Sequence, residues 1–281
     1  MSEPIAAPIA DAVEAGLASE GGELAGASNR RTFAGALRAL SGRALNLLLP
    51  PSCPLTGERV AAPGLLSAAG WARVSFIDGP FCARCSAPFA HDEGEGAECA
   101  ACIADPPAFA AARAAVLYDE ASHDLILAFK HGDRTELAPL LAGWLARAGA
   151  GLLRPGTILV PTPLHPRRLF ARRYNQAGLL AAELGRRAGL AVLHDTLERV
   201  RATPSQKDLS ADARRRNVQG AFGVPDARRA AVEGAAVVII DDVMTTGATL
   251  SACARALKKA GAARVDALVL ARAVKPGQIS F

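Results

Sequence analysis

Two adjacent carboxylates, Asp241 and Asp242, stand just ahead of the loop Thr245-Thr246-Gly247-Ala248-Thr249. A hydroxyl- and glycine-rich loop that opens into a helix is suited to phosphate. Its amides and the positive helix end face the anion, and threonine hydroxyls donate further hydrogen bonds. The carboxylates would repel that phosphate, so they suit another part of the same ligand, such as sugar hydroxyls or a bound Mg²⁺. A nucleotide hydrolase could use one such Asp for Mg²⁺, but it needs a G-x-x-x-x-G-K-[ST] loop upstream, and the sequence has none.

Four β-branched apolar residues, Val237-Val238-Ile239-Ile240, precede the acids without polar alternation. They predict a strand buried on both faces, as in a parallel sheet. The strand is expected to end on the two acids. A helix is expected over 250–260, with Thr249 as N-cap and Gly261 as its stop. Across thirteen positions, 237–249, this run resembles the phosphoribosyl pyrophosphate (PRPP) motif of type I phosphoribosyltransferases. The resemblance implies that residues 245–249 hold the 5′-phosphate. It also implies that Asp241 and Asp242 take the ribose 2′- and 3′-hydroxyls, with Mg²⁺ accompanying the pyrophosphate.

The other end of such a ligand needs partners. Thr157-Ile158-Leu159-Val160 reads as a second buried strand, followed by Pro161-Thr162-Pro163. Ligands bind at the carboxyl ends of strands in parallel sheets, which makes Pro161 and Thr162 candidates. Arg173 and its neighbouring arginines flank Tyr174-Asn175-Gln176. Forked guanidinium groups suit pyrophosphate, while a solvated basic helix start explains half or more of these arginines. Lys130, in Phe129-Lys130-His131-Gly132, either reaches the ligand or caps a helix C-terminus, and the sequence leaves these two readings even. Residues 197–200 and 221–224 can pair as a ribbon enclosing the polar, cationic stretch 201–217, which includes Gln206 and Arg216. In phosphoribosyltransferases a loop at this place closes over PRPP and excludes water. Arg214-Arg215-Arg216 also permits a nucleic-acid-binding loop, although it lacks interleaved aromatics for base stacking.

Cys82-x-x-Cys85 and Cys99-x-x-Cys102 have the spacing of a structural Zn²⁺ site with four thiolates and no open position. Further upstream, Cys53 begins a knuckle that ends at Thr56. From about Leu47 onward the chain resembles the ComF/GntX group, competence-associated proteins with a double zinc ribbon ahead of a phosphoribosyltransferase-like domain. Aligned with that group, Thr56, Ser67 and Gly70 stand where the first ribbon has cysteines. One zinc is therefore expected, with the first ribbon held by packing around Leu65, Leu66, Trp71 and Phe76.

Stepping outward, strands are expected over 111–118 and 265–270, and helices over 123–131 and 136–148. Residues 1–30 carry no aromatics, which suits a disordered tail, and 31–50 has the spacing of an amphipathic helix. A zinc-ribbon module over 51–108 and a phosphoribosyltransferase-like domain over 109–281 complete the division. The expected fold is α/β: a Rossmann-like parallel sheet with flanking helices, carrying a small N-terminal zinc-ribbon module.

The chain of 281 residues has a formal charge of +5, and without the tail's five acids the rest stands at +10. That balance suits a polyanionic partner. Neither a membrane span nor a signal peptide is evident, so the sequence reads as cytoplasmic. Two functions are expected from the resemblances. One is PRPP binding with phosphoribosyl transfer to an acceptor. The other is a non-catalytic PRPP sensor or adaptor in DNA uptake, with single-stranded DNA or a helicase as partner.

Overall fold

The computed structural model describes residues 50–131, 134–164, 174–201 and 211–274. The tail and amphipathic helix expected before Pro50 lie outside the described residues, as do Arg173 and Gln206. Two short helices, α1 (Ala68–Ala72) and α2 (Ala100–Ala104), belong to the N-terminal ribbons. They are followed by β1 (Ala112–Leu117), α3 (Glu120–His131), α4 (Ala138–Ala148), β2 (Ile158–Pro161), α5 (Gln176–Ala188) and β3 (Ala191–Val192). Next come β4 (Glu198–Arg199), α6 (Ala211–Val218), β5 (Phe222–Gly223), α7 (Asp226–Arg229), β6 (Ala236–Met244), α8 (Ala248–Lys259) and β7 (Arg264–Arg272).

The main sheet has the order β1-β7-β6-β2-β3, and all its pairs are parallel. β6 lies at its centre, which explains the unbroken apolar run in its sequence. Val237 and Ile239 pack into a core shared with Leu250, Cys253 and Leu257 of α8. Val238 and Ile240 pack into a second core with Leu125 and Phe129 of α3, Leu141 of α4 and Leu180 of α5. The sheet thus has helices on both faces, as expected.

Several boundaries differ from expectation. β6 does not stop at the acids but runs through both to Met244, because β7 keeps pairing with it as far as Arg272. α8 begins at Ala248, with Gly247 rather than Thr249 at the N-cap. Gly247 has φ +74°, a conformation that favours glycine and turns the chain from strand into helix. α3 starts at Glu120, three residues early. The Ser122 N–H donates to Asp119 Oδ1 and the Asp119 N–H to Ser122 Oγ, both at 2.9 Å, forming a reciprocal cap. The ribbon expected around 201–217 is present as antiparallel β4–β5, but residues 211–218 within it form helix α6 rather than loop.

The ribbons close the β1 edge of the sheet. Ile77 N–H donates to Ala115 O and Leu117 N–H to Ser75 O, so the segment joining the two ribbons runs antiparallel along β1. Unpaired strand edges invite association with other chains, and this cover removes one. The described residues from Pro51 onward accordingly form a single unit, with the ribbons packed into the same two cores as the sheet.

Close packing between α5 and β3 provides a stability test. A Cβ on Gly185 would lie 2.4 Å from Val192 Cγ2 and 2.9 Å from Leu190 O. Gly185→Ala is therefore expected to destabilise the fold by about 1–3 kcal/mol despite alanine's higher helix propensity, read as a lower urea midpoint.

Candidate functional site

The chain leaves β2 towards β3 and leaves β6 towards β7, in opposite directions across the sheet. The carboxyl ends of β2 and β6 therefore flank a topological switch point, where parallel sheets open a crevice. A cavity of about 380 Å³ opens at this end of the sheet. Tyr118, Lys130, Asp241, Val243, Met244 and the whole loop 245–249 line it, together with Leu250. The volume lies within the range of small-molecule sites.

Each wall follows from its element. Thr245 and Thr246 are exposed at the loop, while Gly247 and Ala248 are buried. Phe109 supports the turn from beneath, its ring 3.5 Å from where a Cβ on Gly247 would stand. The N-terminus of α8 then directs its dipole towards the loop. The Thr246 hydroxyl accepts a long hydrogen bond, 3.4 Å, from the Ala248 N–H.

Successive side chains of a strand point to opposite faces, and the two acids separate accordingly. Asp242 goes to the α3 side, where its Oδ2 is 2.7 Å from Lys130 Nζ. Asp241 goes to the α8 side, where its charge helps burial raise the Cys253 thiol well above the usual range. Burial, reinforced by the charge of Asp242, pushes the Asp241 carboxyl up from 3.8 to about 7. The Asp242 N–H, 2.9 Å from Asp241 Oδ1, pulls the other way, as do Lys130 and the Thr162 hydroxyl. Thr162 sits just past β2, beside β6, its N–H bonded to Ile240 O at 2.9 Å. Its own hydroxyl is buried beside the Asp241 carboxyl, short of a well-aligned hydrogen bond.

Lys130 therefore reaches the site as an ion pair. Asn175 and Gln176 lie one layer back. The Asn175 side chain donates to Thr162 O at 3.1 Å and caps α5 by accepting from Ala177 N–H. Gln176 donates to Lys130 O at 3.3 Å, and the Tyr174 hydroxyl to Phe129 O at 2.6 Å. These side chains position the two strand-end and helix-end residues that face the ligand cavity. Arg216 is exposed on α6. Sequence reasoning missed Tyr118 and Arg272. Arg272 ends β7 and donates to Thr245 O at 2.6 Å and Met244 O at 3.4 Å. A single arginine at a strand end carries no pattern that would have flagged it.

The ribbons repeat one hydrogen-bonded scaffold. Cys53 N–H donates to Glu58 O and Cys82 N–H to Ala87 O. Gly57 returns to Cys53 O, and Ser86 to Cys82 O. Ser67 caps α1 as Cys99 precedes α2. In the second ribbon the sulfurs of Cys82, Cys85, Cys99 and Cys102 all lie within 4.8 Å of one another, with Cys85 and Cys99 at 3.7 Å. Tetrahedral Zn²⁺ with bonds of about 2.3 Å separates its sulfurs by about 3.8 Å, so these thiols fit a structural zinc. His91 is exposed and outside this cluster. In the first ribbon the corresponding positions are also brought together. Thr56 Oγ1 and Ser67 Oγ hydrogen bond at 2.9 Å, and a Cβ on Gly70 would fall 2.7 Å from Cys53 Sγ. A hydroxyl pair and a glycine stand where the second ribbon has three thiols, and the ribbon is folded around buried Cys53.

Fold and site together define a phosphoribosyltransferase-type α/β domain carrying zinc ribbons. Residues 44–103 match the double zinc ribbon domain and residues 177–277 the phosphoribosyl transferase domain. The DNA utilization protein YhgH of Salmonella typhimurium is 36% identical over 197 residues, covering 68% of this chain and 83% of the relative. Competence protein F of Haemophilus influenzae is 30% identical over 199 residues, covering 69% and 85%. Competence protein ComFC of Bacillus subtilis is 33% identical over 116 residues, covering 41% and 44%. The chain belongs to the ComF family, as its motifs implied.

Two measurements follow. Elemental analysis of the purified chain should give one zinc, lost in Cys85→Ser; two would place metal in the first ribbon as well. The raised carboxyl of Asp241 favours the fold when protonated. Its contribution is fully present below pH 3.8 and is lost as pH rises through about 7. Asp241→Asn should therefore flatten the fall in stability across that window, measured by urea denaturation at stepped pH.

Proposed function

We propose that this protein binds PRPP with Mg²⁺ at the carboxyl end of β6. The observation that carries the reading is the single cavity bounded by both Asp241 and the whole loop 245–249. On this reading the 5′-phosphate takes the loop amides and the threonine hydroxyls, in front of the α8 N-terminus. Asp241 and Asp242 take the ribose hydroxyls. Thr162 and Lys130 stand towards the pyrophosphate, where Mg²⁺ would neutralise the charge that the acids oppose. Lys130 leaves Asp242 in exchange for ligand oxygens. Displacement of pyrophosphate at C1′ by a nitrogen nucleophile is the reaction this geometry supports. Residues 202–210, part of the stretch expected to shield C1′ from water, lie outside the described residues.

The related proteins are named for DNA utilization and competence, not for a reaction. That naming favours a second reading, a PRPP sensor or adaptor acting in DNA uptake through single-stranded DNA or a helicase. No helix among the described residues is long and apolar enough to cross a membrane.

PRPP with Mg²⁺ at one hundred times its dissociation constant should stabilise by about 2.7 kcal/mol, a rise in melting temperature of about 5–10 °C. Asp241→Asn or Asp242→Asn should remove most of that rise; its persistence in both variants would displace the site. Pyrophosphate release on adding bases and amines separates the enzyme from the sensor.

A further inference from the structure

One guanidinium joins the zinc knuckle to the phosphate loop. Arg272 Nε donates to Cys85 O at 3.1 Å, and its Nη2 lies 3.8 Å from Cys85 Sγ. Its Nη1 bonds Thr245 O at 2.6 Å and reaches Met244 O at 3.4 Å, and it also bonds Ala273 O. Thus a single half-buried side chain takes the backbone of a metal-binding residue on one side and the first residue of the phosphate loop on the other. These two residues are 160 positions apart in sequence, from Cys85 to Thr245.

We propose that Arg272 is a positioning residue that makes the order of the phosphate loop depend on zinc in the second ribbon. The physical chain is short. Four zinc-bound thiolates leave a net negative cluster, and an N–H donor beside a ligating sulfur is attracted to it. Filling the site therefore holds the Arg272 fork against Cys85. The same rigid fork fixes the Thr245 carbonyl, since guanidinium donors are coplanar. Within one peptide plane C=O and N–H point in opposite directions. Fixing the Thr245 carbonyl on Arg272 thus turns the Thr246 N–H away from the guanidinium and keeps it available to an anion. Without metal, the knuckle that presents the Cys85 carbonyl loses its anchor, the hold on Arg272 weakens, and the first peptide of the loop is released. A lysine at this place could hold one acceptor but could not span both.

The functional meaning rests on the phosphate reading of the loop, but the linkage can be tested without any ligand. Amide hydrogen exchange would be followed in a peptide covering 244–249, with α5, which packs in the other core, as an internal control, for zinc-loaded and chelator-stripped protein and for Arg272→Met and Arg272→Lys. Zinc removal should speed loop exchange by roughly tenfold, the scale of a charge-assisted hydrogen bond, with α5 unchanged. Arg272→Met should retain its zinc yet show the fast loop, and stripping it should add nothing further. Arg272→Lys should fall between the two. A loop that exchanges equally with and without zinc in the wild type overturns the linkage. So does an Arg272→Met loop that still responds to zinc. PRPP titration of the zinc-loaded wild type forms the separate arm: if PRPP fails to bind there, the reading of the loop falls, while the exchange data still decide the linkage.

Discussion

The site depends on the parallel pairing of β2 with β6, from which the chain departs in opposite directions. Side-by-side strands whose connections diverge leave their carboxyl ends uncovered, so a crevice forms without any specialised loop to hollow it out. The rest of the molecule secures that pairing. Its two apolar cores sandwich β6, α3 and α5 pin the residues beyond β2, and the ribbon segment covers the far edge. The polar groups then gather at the one end of the sheet where the backbone ladder runs out.

That arrangement places charge where the fold would not choose it. Asp241 is pressed among protein atoms beside a second carboxylate, and Lys130 neutralises Asp242 more directly than Asp241. The buried Thr162 hydroxyl stands beside the same carboxyl and offsets only part of that cost. Charge crowded in this way would be relieved by a bound cation or a polar ligand, which marks this end of the sheet as a candidate binding site. The ion pair acts as a provisional occupant of the place.

The central strand was legible because burial on both faces leaves no alternation, and the phosphate loop because its residue types serve one chemistry. The end of β6 was not, since charged residues inside a strand look like its terminus unless the neighbouring strand is known to keep pairing. Gly247 rather than Thr249 begins α8 for a reason of backbone angle that composition alone does not reveal. Asn175 and Gln176 were noticed for the right neighbourhood, yet their side chains are occupied with carbonyls. Arg272 could not be found at all from its own segment, because what it joins is remote in the chain. By contrast, the replaced positions of the first ribbon were visible, since spacing survives when the ligands do not.

Those two ribbons share a backbone but not a mode of cohesion. The first, with Cys53, Leu66 and Val74, packs into the core of α3, α4 and α5; the second packs into the core of α8. With a Thr56–Ser67 hydroxyl pair where the second ribbon has thiols, the first ribbon on this reading needs no metal supply and offers oxidants one buried thiol, Cys53. Sensitivity to both is left concentrated on the side that carries the phosphate loop. Zinc scarcity or thiol oxidation would thus reach the half of the crevice walled by residues 245–249 first, while the wall that carries Lys130 stayed in place.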